Sequence, residues 1–350
     1  MTIDTAPEPI APRRVLRMSA VMAATLAIVL GATLALPFDR YLAWQAASGT
    51  QMFHSRWIYE RIVFDRTPIE VAVIGSSRLE SGISPTILSA GLSRRLGRSV
   101  PVANLSLVMP GRDFTAATVR LLLDHHPEVR LILLTDDGDI VNSHPMFRET
   151  ASARDLLAAP AVVNGSYLPN LLALPYRNLT NVAQQVWPAA FGITRRFDSA
   201  AYAGAGLDRT LGYRVPGGES INGDLHRPAP ELAAMSRAAV ARQVAGLRWT
   251  RWLPDDRRLA VDRHYVATIA ADARAKGVRV AFLKLPLYGP VQSPGEDRAY
   301  RAIGPVFAFR DLSRDPTLYQ SAAHLNRRGA EQASVRVAAA VAPLLAGAAR

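Results

Sequence analysis

Three apolar runs rich in β-branched residues, "IEVAVIG" (69–75), "VPVANLSL" (100–107) and "VRLILLT" (129–135), recur with one helical stretch between each pair. Runs this continuously apolar belong to strands buried on both faces. Parallel neighbours need a crossover of a dozen residues or more, usually a helix, and the intervening segments have that length and period. "SPTILSAGLSRRLG" (84–97) starts with Ser84 as N-cap and Pro85 in its first turn. "RDFTAATVRLLLDHH" (112–126) is stopped by Pro127. The rhythm breaks over 143–255, which is rich in Pro, Gly and Ala and has no clear period. It resumes with a helix at 259–277, strands at 278–286 and 306–313, and a closing helix within 325–348. The reading is an α/β/α domain over 68–142 and 256–350 with a parallel, doubly wound sheet. Residues 143–255 are too long for an ordinary loop and are read as an inserted cap.

Ahead of this domain, residues 18–36 hold no charged side chain over 19 positions, and Arg13, Arg14 and Arg17 precede them. At ~1.5 Å per residue that stretch spans a hydrocarbon core. Arginines on its N-terminal side place residues 1–17 in the cytoplasm and everything after Pro37 outside it. The expectation is a single-pass protein of the cytoplasmic membrane with its main domain on the periplasmic side. A cleaved signal peptide is the rival, with Thr33 and Ala35 as small residues before the cut. Residues 37–67 read as a stalk or packing helix.

The chain has no cysteine, which excludes disulfides, thiolate metal sites and a cysteine nucleophile. Its net charge of +12 is carried almost wholly by arginine. Such a charge attracts phospholipid heads, acidic polysaccharide or nucleic acid, or simply reflects arginine-rich composition. No basic run, zinc spacing or RNA-binding motif points to nucleic acid. No metal or organic cofactor is expected. "DDGD" (136–139) lacks the ligand spacing of a calcium loop, and His125-His126 at a helix end suits carbonyl capping.

Ligands of an open α/β sheet sit outside the carboxyl ends of its strands. Gly75-Ser76-Ser77, the stretch from Asn104 through Ser106 to Gly111, and Thr135-Asp136-Asp137 all fall there. "SAAHLNRRG" (321–329) adds His324 ahead of the last helix. An early serine and a late histidine suit a nucleophile and its base. The bland alternative is that Ser76 and Ser77 form a turn, His324 opens a helix, and the acidic cluster is solvated.

The blocks "IGSSR", "ANLSLVMPG" and "HLNRRG" resemble those of the SGNH (GDSL-type) hydrolase superfamily, and most closely its membrane-anchored extracytoplasmic branch. That resemblance implies a flavodoxin-like three-layer sheet, with Ser77 as nucleophile, His324 as base, and the backbone N–H groups of Ser77 and Ser106 facing the oxyanion. It further implies a serine O-acyltransferase or esterase acting on a cell-envelope polysaccharide or other acylated glycan, with a membrane acyl-donor protein as a candidate partner. Two positions depart from the pattern. Ser321 stands where the family has an aspartate, so Asp311, Asp315 or a main-chain carbonyl is expected to accept from His324 Nδ1. Asp137 stands nearest the family's oxyanion asparagine, and an ionised carboxylate cannot donate. The alternative function is a catalytically silent SGNH-like protein that binds glycan or scaffolds a polysaccharide export system.

Overall fold

The computed structural model describes residues 12–109, 111–136, 143–214, 220–246, 248–250, 252–290 and 298–347. Helix α1 (Pro12–Leu34) leads into α2 (Arg40–Ala47) and α3 (Ser55–Val63). Then come β1 (Val71–Ile74), α4 (Ser77–Gly82), α5 (Pro85–Leu96), β2 (Val102–Asn104), α6 (Arg112–His125) and β3 (Leu131–Thr135). The long insertion holds α7 (Pro145–Thr150), α8 (Ala153–Leu157), α9 (Tyr167–Val186), a hairpin of β4 (Gly212–Arg214) and β5 (Ser220–Asn222), α10 (Ala229–Gly246) and α11 (Asp255–Arg258). Helix α12 (Ala260–Ala275), β6 (Arg279–Lys284), α13 (Arg298–Ile303), β7 (Val306–Ala308), β8 (Tyr319–Ser321), β9 (His324–Leu325) and α14 (Arg327–Ala346) complete the order.

Among the described residues, five strands form one sheet in the order β2-β1-β3-β6-β7, and each neighbouring pair is parallel. The strand period of two sorts the side chains onto two faces. Ala72, Ile74, Ile132, Leu134, Val280 and Phe282 share one apolar cluster with residues of α3, α6 and α12. Val71, Val73, Leu131, Leu133, Ala281 and Leu283 share the other with α5 and α14. Both faces are therefore covered, which is why these strands read as unbroken apolar runs. Each fully buried Val, Leu or Ile there contributes roughly 1.5–3 kcal/mol.

Three expectations need adjusting. The last strand, expected over 306–313, ends at Ala308; short 3₁₀ turns at Arg310–Arg314 and Pro316–Leu318 follow. Asp315 caps the second turn by accepting from Thr317 N–H, and Pro316 has no N–H for a ladder. The apolar N-terminal helix ends at Leu34 rather than residue 36, since Pro37 disfavours helical geometry just before it. Residues 37–67 hold two helices whose Trp44, Trp57, Ile58 and Ile62 lie in the core of one sheet face. They are packed parts of the domain.

Helix α1 is long and apolar enough to cross a membrane, with mean hydropathy 1.9 over its best stretch and none of that stretch buried. Its last turn is joined to the rest of the chain. Thr33 is buried, and its carbonyl accepts from Asn178 Nδ2 at 3.0 Å.

Candidate active site

Strand β1 lies between β2 and β3, so the chain leaves it toward one edge of the sheet and later returns on the other side. The space beyond its carboxyl end is the switch point where such sheets bind ligands. A Cβ at Gly75 would lie 2.6 Å from Thr135 Cβ, so only glycine lets the end of β1 turn this close to the end of β3. Ser76 then serves as N-cap, accepting from Arg78 N–H at 3.3 Å. This leaves Ser77 as the first residue of α4, half-buried, with its hydroxyl at the carboxyl edge. The turn reading and the nucleophile reading thus divide between neighbours. Ser76 caps, and Ser77 faces the site.

His324 arrives from the far end of the chain. In the small β8–β9 hairpin, Ser321 pairs directly with His324. Leu325 is buried, and Asn326 N-caps α14 by accepting from Gly329 N–H at 3.0 Å. Gly329 is a close-approach position, because a Cβ there would lie 2.3 Å from the Leu318 carbonyl oxygen. The "HLNRRG" string is therefore a strand-to-helix corner that aims one imidazole. His324 Nε2 lies 2.8 Å from Ser77 Oγ, and Nδ1 lies 2.7 Å from Ser321 Oγ. With the proton on Nδ1, that N–H donates to the Ser321 hydroxyl, and Nε2 is left to accept from Ser77. The geometry is that of a nucleophile, a base, and a third group orienting the base.

The carboxylates expected to orient His324 are engaged elsewhere. Asp311 pairs with Arg336 on the surface of α14. Asp315 accepts from Thr317 N–H at 2.9 Å and from the Thr317 hydroxyl at 2.7 Å, bonds that hold its carboxyl below the ordinary range. Ser321 itself occupies the place. A hydroxyl there fixes the ring's orientation but supplies no charge to an imidazolium.

A buried carboxylate is carried by α4 itself, one turn past Ser77. Glu80 Oε1 accepts from His54 Nδ1 and from Arg209 Nη1, each at 2.7 Å. Arg209 also donates to the carbonyls of Ser106 (2.8 Å) and Asn104 (2.7 Å). Burial alone would raise the Glu80 carboxyl. Arg209 first, then His54 and at longer range His324, outweigh it and hold Glu80 below its ordinary value. His54 is lowered as well, burial pushing its imidazole down despite the carboxylate. Arg209 belongs to the insertion, so part of the insertion closes over the carboxyl ends of β1 and β2.

On the oxyanion side the backbone departs from the expected arrangement. Ser106 N–H donates to Asn104 Oδ1 at 3.1 Å, a local turn that occupies the donor expected to face substrate. Asn104 Nδ2 meanwhile donates to the carbonyls of Leu79 and Ile83, both at 2.8 Å, closing the end of α4. The Ser106 hydroxyl is fully buried and has no hydrogen-bond partner among the described residues. In the first turn of α4, Arg78 N–H is taken by Ser76 Oγ and the N–H groups of Leu79 and Glu80 by the Ser76 carbonyl, which leaves Ser77 N–H without an intrahelical acceptor. Gly111, expected near substrate, has a packing role: it precedes α6, and a Cβ would lie 2.3 Å from His144 Cβ. Asp137 lies outside the described residues. Its neighbour Asp136 is buried, 3.6 Å from Lys284 Nζ. Among the described residues no group of three His, Asp or Glu side chains could hold a metal ion. His126 bonds Glu128 through Nδ1 (2.8 Å) and the Ile62 carbonyl through Nε2 (3.1 Å), which ties α3 to α6.

No family model matches this chain, and no curated protein matches it. The sequence reading missed Glu80, His54 and Arg209. Glu80 had a signal, three residues past Ser77 on a short helix. Arg209 had none, in a stretch without period.

Proposed function

We propose that this chain is an extracytoplasmic serine O-acyltransferase or esterase of the SGNH type, acting on a cell-envelope glycan. What carries the reading is the pairing of Ser77 with His324 at 2.8 Å, across 247 positions of sequence, with Ser321 behind the imidazole at 2.7 Å. The strand order, read from the first strand as 2-1-3-4-5, also supports the flavodoxin-like assignment. Ser77 Oγ attacks the acyl carbonyl while His324 Nε2 takes its proton. The tetrahedral intermediate collapses, His324 returns the proton to the departing alcohol, and the acyl group stays on Ser77. A glycan hydroxyl or water, deprotonated by His324, then attacks the ester and releases Ser77. Ser77 N–H is the backbone donor available to the oxyanion. The arginines in the opening turns of α1, ahead of its apolar run, support a cytoplasmic N-terminus and an outward domain.

One observation favours a second reading, a silent glycan-binding or scaffold protein: a neutral hydroxyl stands where a carboxylate would stabilise the imidazolium. Replacing that carboxylate in a serine protease costs about 10⁴ in turnover. A fluorophosphonate probe separates the two. The full chain in detergent is expected to label at Ser77, with Ser77→Ala and His324→Ala unlabelled. A folded wild-type chain that fails to label supports the silent reading.

A further inference from the structure

Helix α9 is amphipathic the wrong way round for a helix on a water-soluble surface. Its buried face carries Asn170, Arg177, Asn178, Asn181 and Gln184 beside one leucine. Its outer face exposes Leu168, Leu172, Tyr176 and Leu179, spaced four, four and three apart, and exposed Trp187 follows. Tyr176 is 76% exposed. The polar side has a visible purpose. Asn178 holds the Thr33 carbonyl, Asn181 exchanges bonds with Asp39 N–H (2.7 Å) and carbonyl (2.9 Å), and Gln185 donates to the Pro37 carbonyl at 3.1 Å. The outward apolar face is thereby bonded to the segment where the apolar helix α1 ends. An outer face of leucines with Tyr and Trp, at that level, suits the boundary of a bilayer.

Beneath α9 lies a cavity of about 550 Å³. That is within the ~300–1,000 Å³ range of ligand sites. Ala43, Ala46 and Ala47 of α2 leave its volume open, and Met52, Met109 and Met146 give it adaptable apolar walls. Tyr176 and Thr180 belong both to its lining and to the outward side of α9, so the opening lies on the lipid-facing side. We propose that this cavity holds one acyl chain of a membrane phospholipid, taken from the leaflet on which α9 rests. The inference rests on the reading of α1 as a membrane anchor.

The test uses the full chain in nanodiscs of phosphatidylcholine and phosphatidylglycerol carrying a photoactivatable diazirine in the acyl chain, with adducts mapped by mass spectrometry. Adducts are expected on α1 and on the segments 43–52 and 145–149. Ala46→Trp and Thr180→Trp fill the cavity from opposite walls. Each is expected to abolish the cavity adducts and keep those on α1. Adducts confined to α1 and the outer face of α9, or cavity adducts unchanged in a folded tryptophan variant, overturn the acyl-chain site and leave the anchor standing. Absence of adducts on α1 itself overturns the anchor. Should either variant melt early, the wild-type adduct map decides alone.

Discussion

Ser321 is where the chemistry of single side chains is most exposed to test. Its hydroxyl lies 2.7 Å from His324 Nδ1 and orients the ring so that Nε2 faces Ser77. A neutral hydrogen bond is worth about 1 kcal/mol, so Ser321→Ala is expected to slow fluorophosphonate acylation of Ser77 about fivefold. Ser321→Asp is expected to speed it, because a carboxylate stabilises the imidazolium as well as orienting the ring. Stopped-time labelling at fixed probe concentration measures both, and equal rates in wild type and Ser321→Ala would remove Ser321 from the machinery. Ser77 and His324 were legible in the sequence for a physical reason. A serine after a glycine at a strand's end, and a histidine before a helix N-cap, carry local signatures of the turns that present them. The partner of Nδ1 was not legible, because a hairpin only two residues wide at its turn decides it, and nothing in the residue types ranks Ser321 above Asp311 or Asp315. The Glu80–Arg209 pair was hidden for another reason. It joins residues 129 apart, and burial at both ends is a property of tertiary packing alone.

Elements that pack by period were readable, and those held by polar contacts to other elements were not. The sheet strands and α5, α6, α12 and α14 show regular apolar patterns, caps and stops, and they form within a few residues of the expected limits. Helix α9 buries asparagines and an arginine and exposes leucines, so its pattern carries no ordinary core signal. A close joint between regular elements is Gly75, where β1 meets the end of β3 against Thr135. Gly75→Ala forces a methyl to 2.6 Å from Thr135 Cβ, and overpacking of this kind typically costs about 1–3 kcal/mol. The shift falls on the turn that starts α4, so stability and Ser77 acylation should drop together. Restoring room with Thr135→Ser in the same chain is expected to recover part of both. Urea unfolding and probe labelling read the two effects. An alanine variant as stable and reactive as wild type would show that β1 and β3 do not meet as closely as described.

At the scale of the whole molecule, one buried pair responds to acid with opposite signs. Asp113 of α6 accepts from His144 N–H at 3.0 Å and from the Ser143 hydroxyl, joining the sheet domain to the start of the insertion. Burial first, only partly offset by those bonds, raises its carboxyl to about 6 from an ordinary 3.8. His144 donates from Nε2 to the Val108 carbonyl at 2.8 Å and stacks on Phe114 with ring centroids 4.6 Å apart. Burial lowers its imidazole to about 4 from an ordinary 6.5. A carboxyl raised by folding stabilises the fold at low pH and loses that contribution as pH rises from near 4 to near 6. An imidazole lowered by folding contributes above about 6.5 and loses that contribution as pH falls toward 4. At roughly 1.4 kcal/mol per pH unit each swing is about 3 kcal/mol, over nearly the same window and in opposite directions. The two nearly cancel, so this pair leaves global stability almost flat between pH 4 and 6.5. Glu80, held low by Arg209 against burial, contributes above the ordinary glutamate range and loses that contribution only as pH falls below it, outside the window. Asp113→Asn keeps an acceptor for His144 N–H but removes the titration, and so exposes His144. Urea unfolding of that variant is expected to lose about 3 kcal/mol more than wild type between pH 6.5 and pH 4, because His54, also lowered by burial, changes equally in both. A variant whose profile parallels wild type would mean that the imidazole is not held neutral by burial, and that the insertion is not sealed onto α6 at this joint.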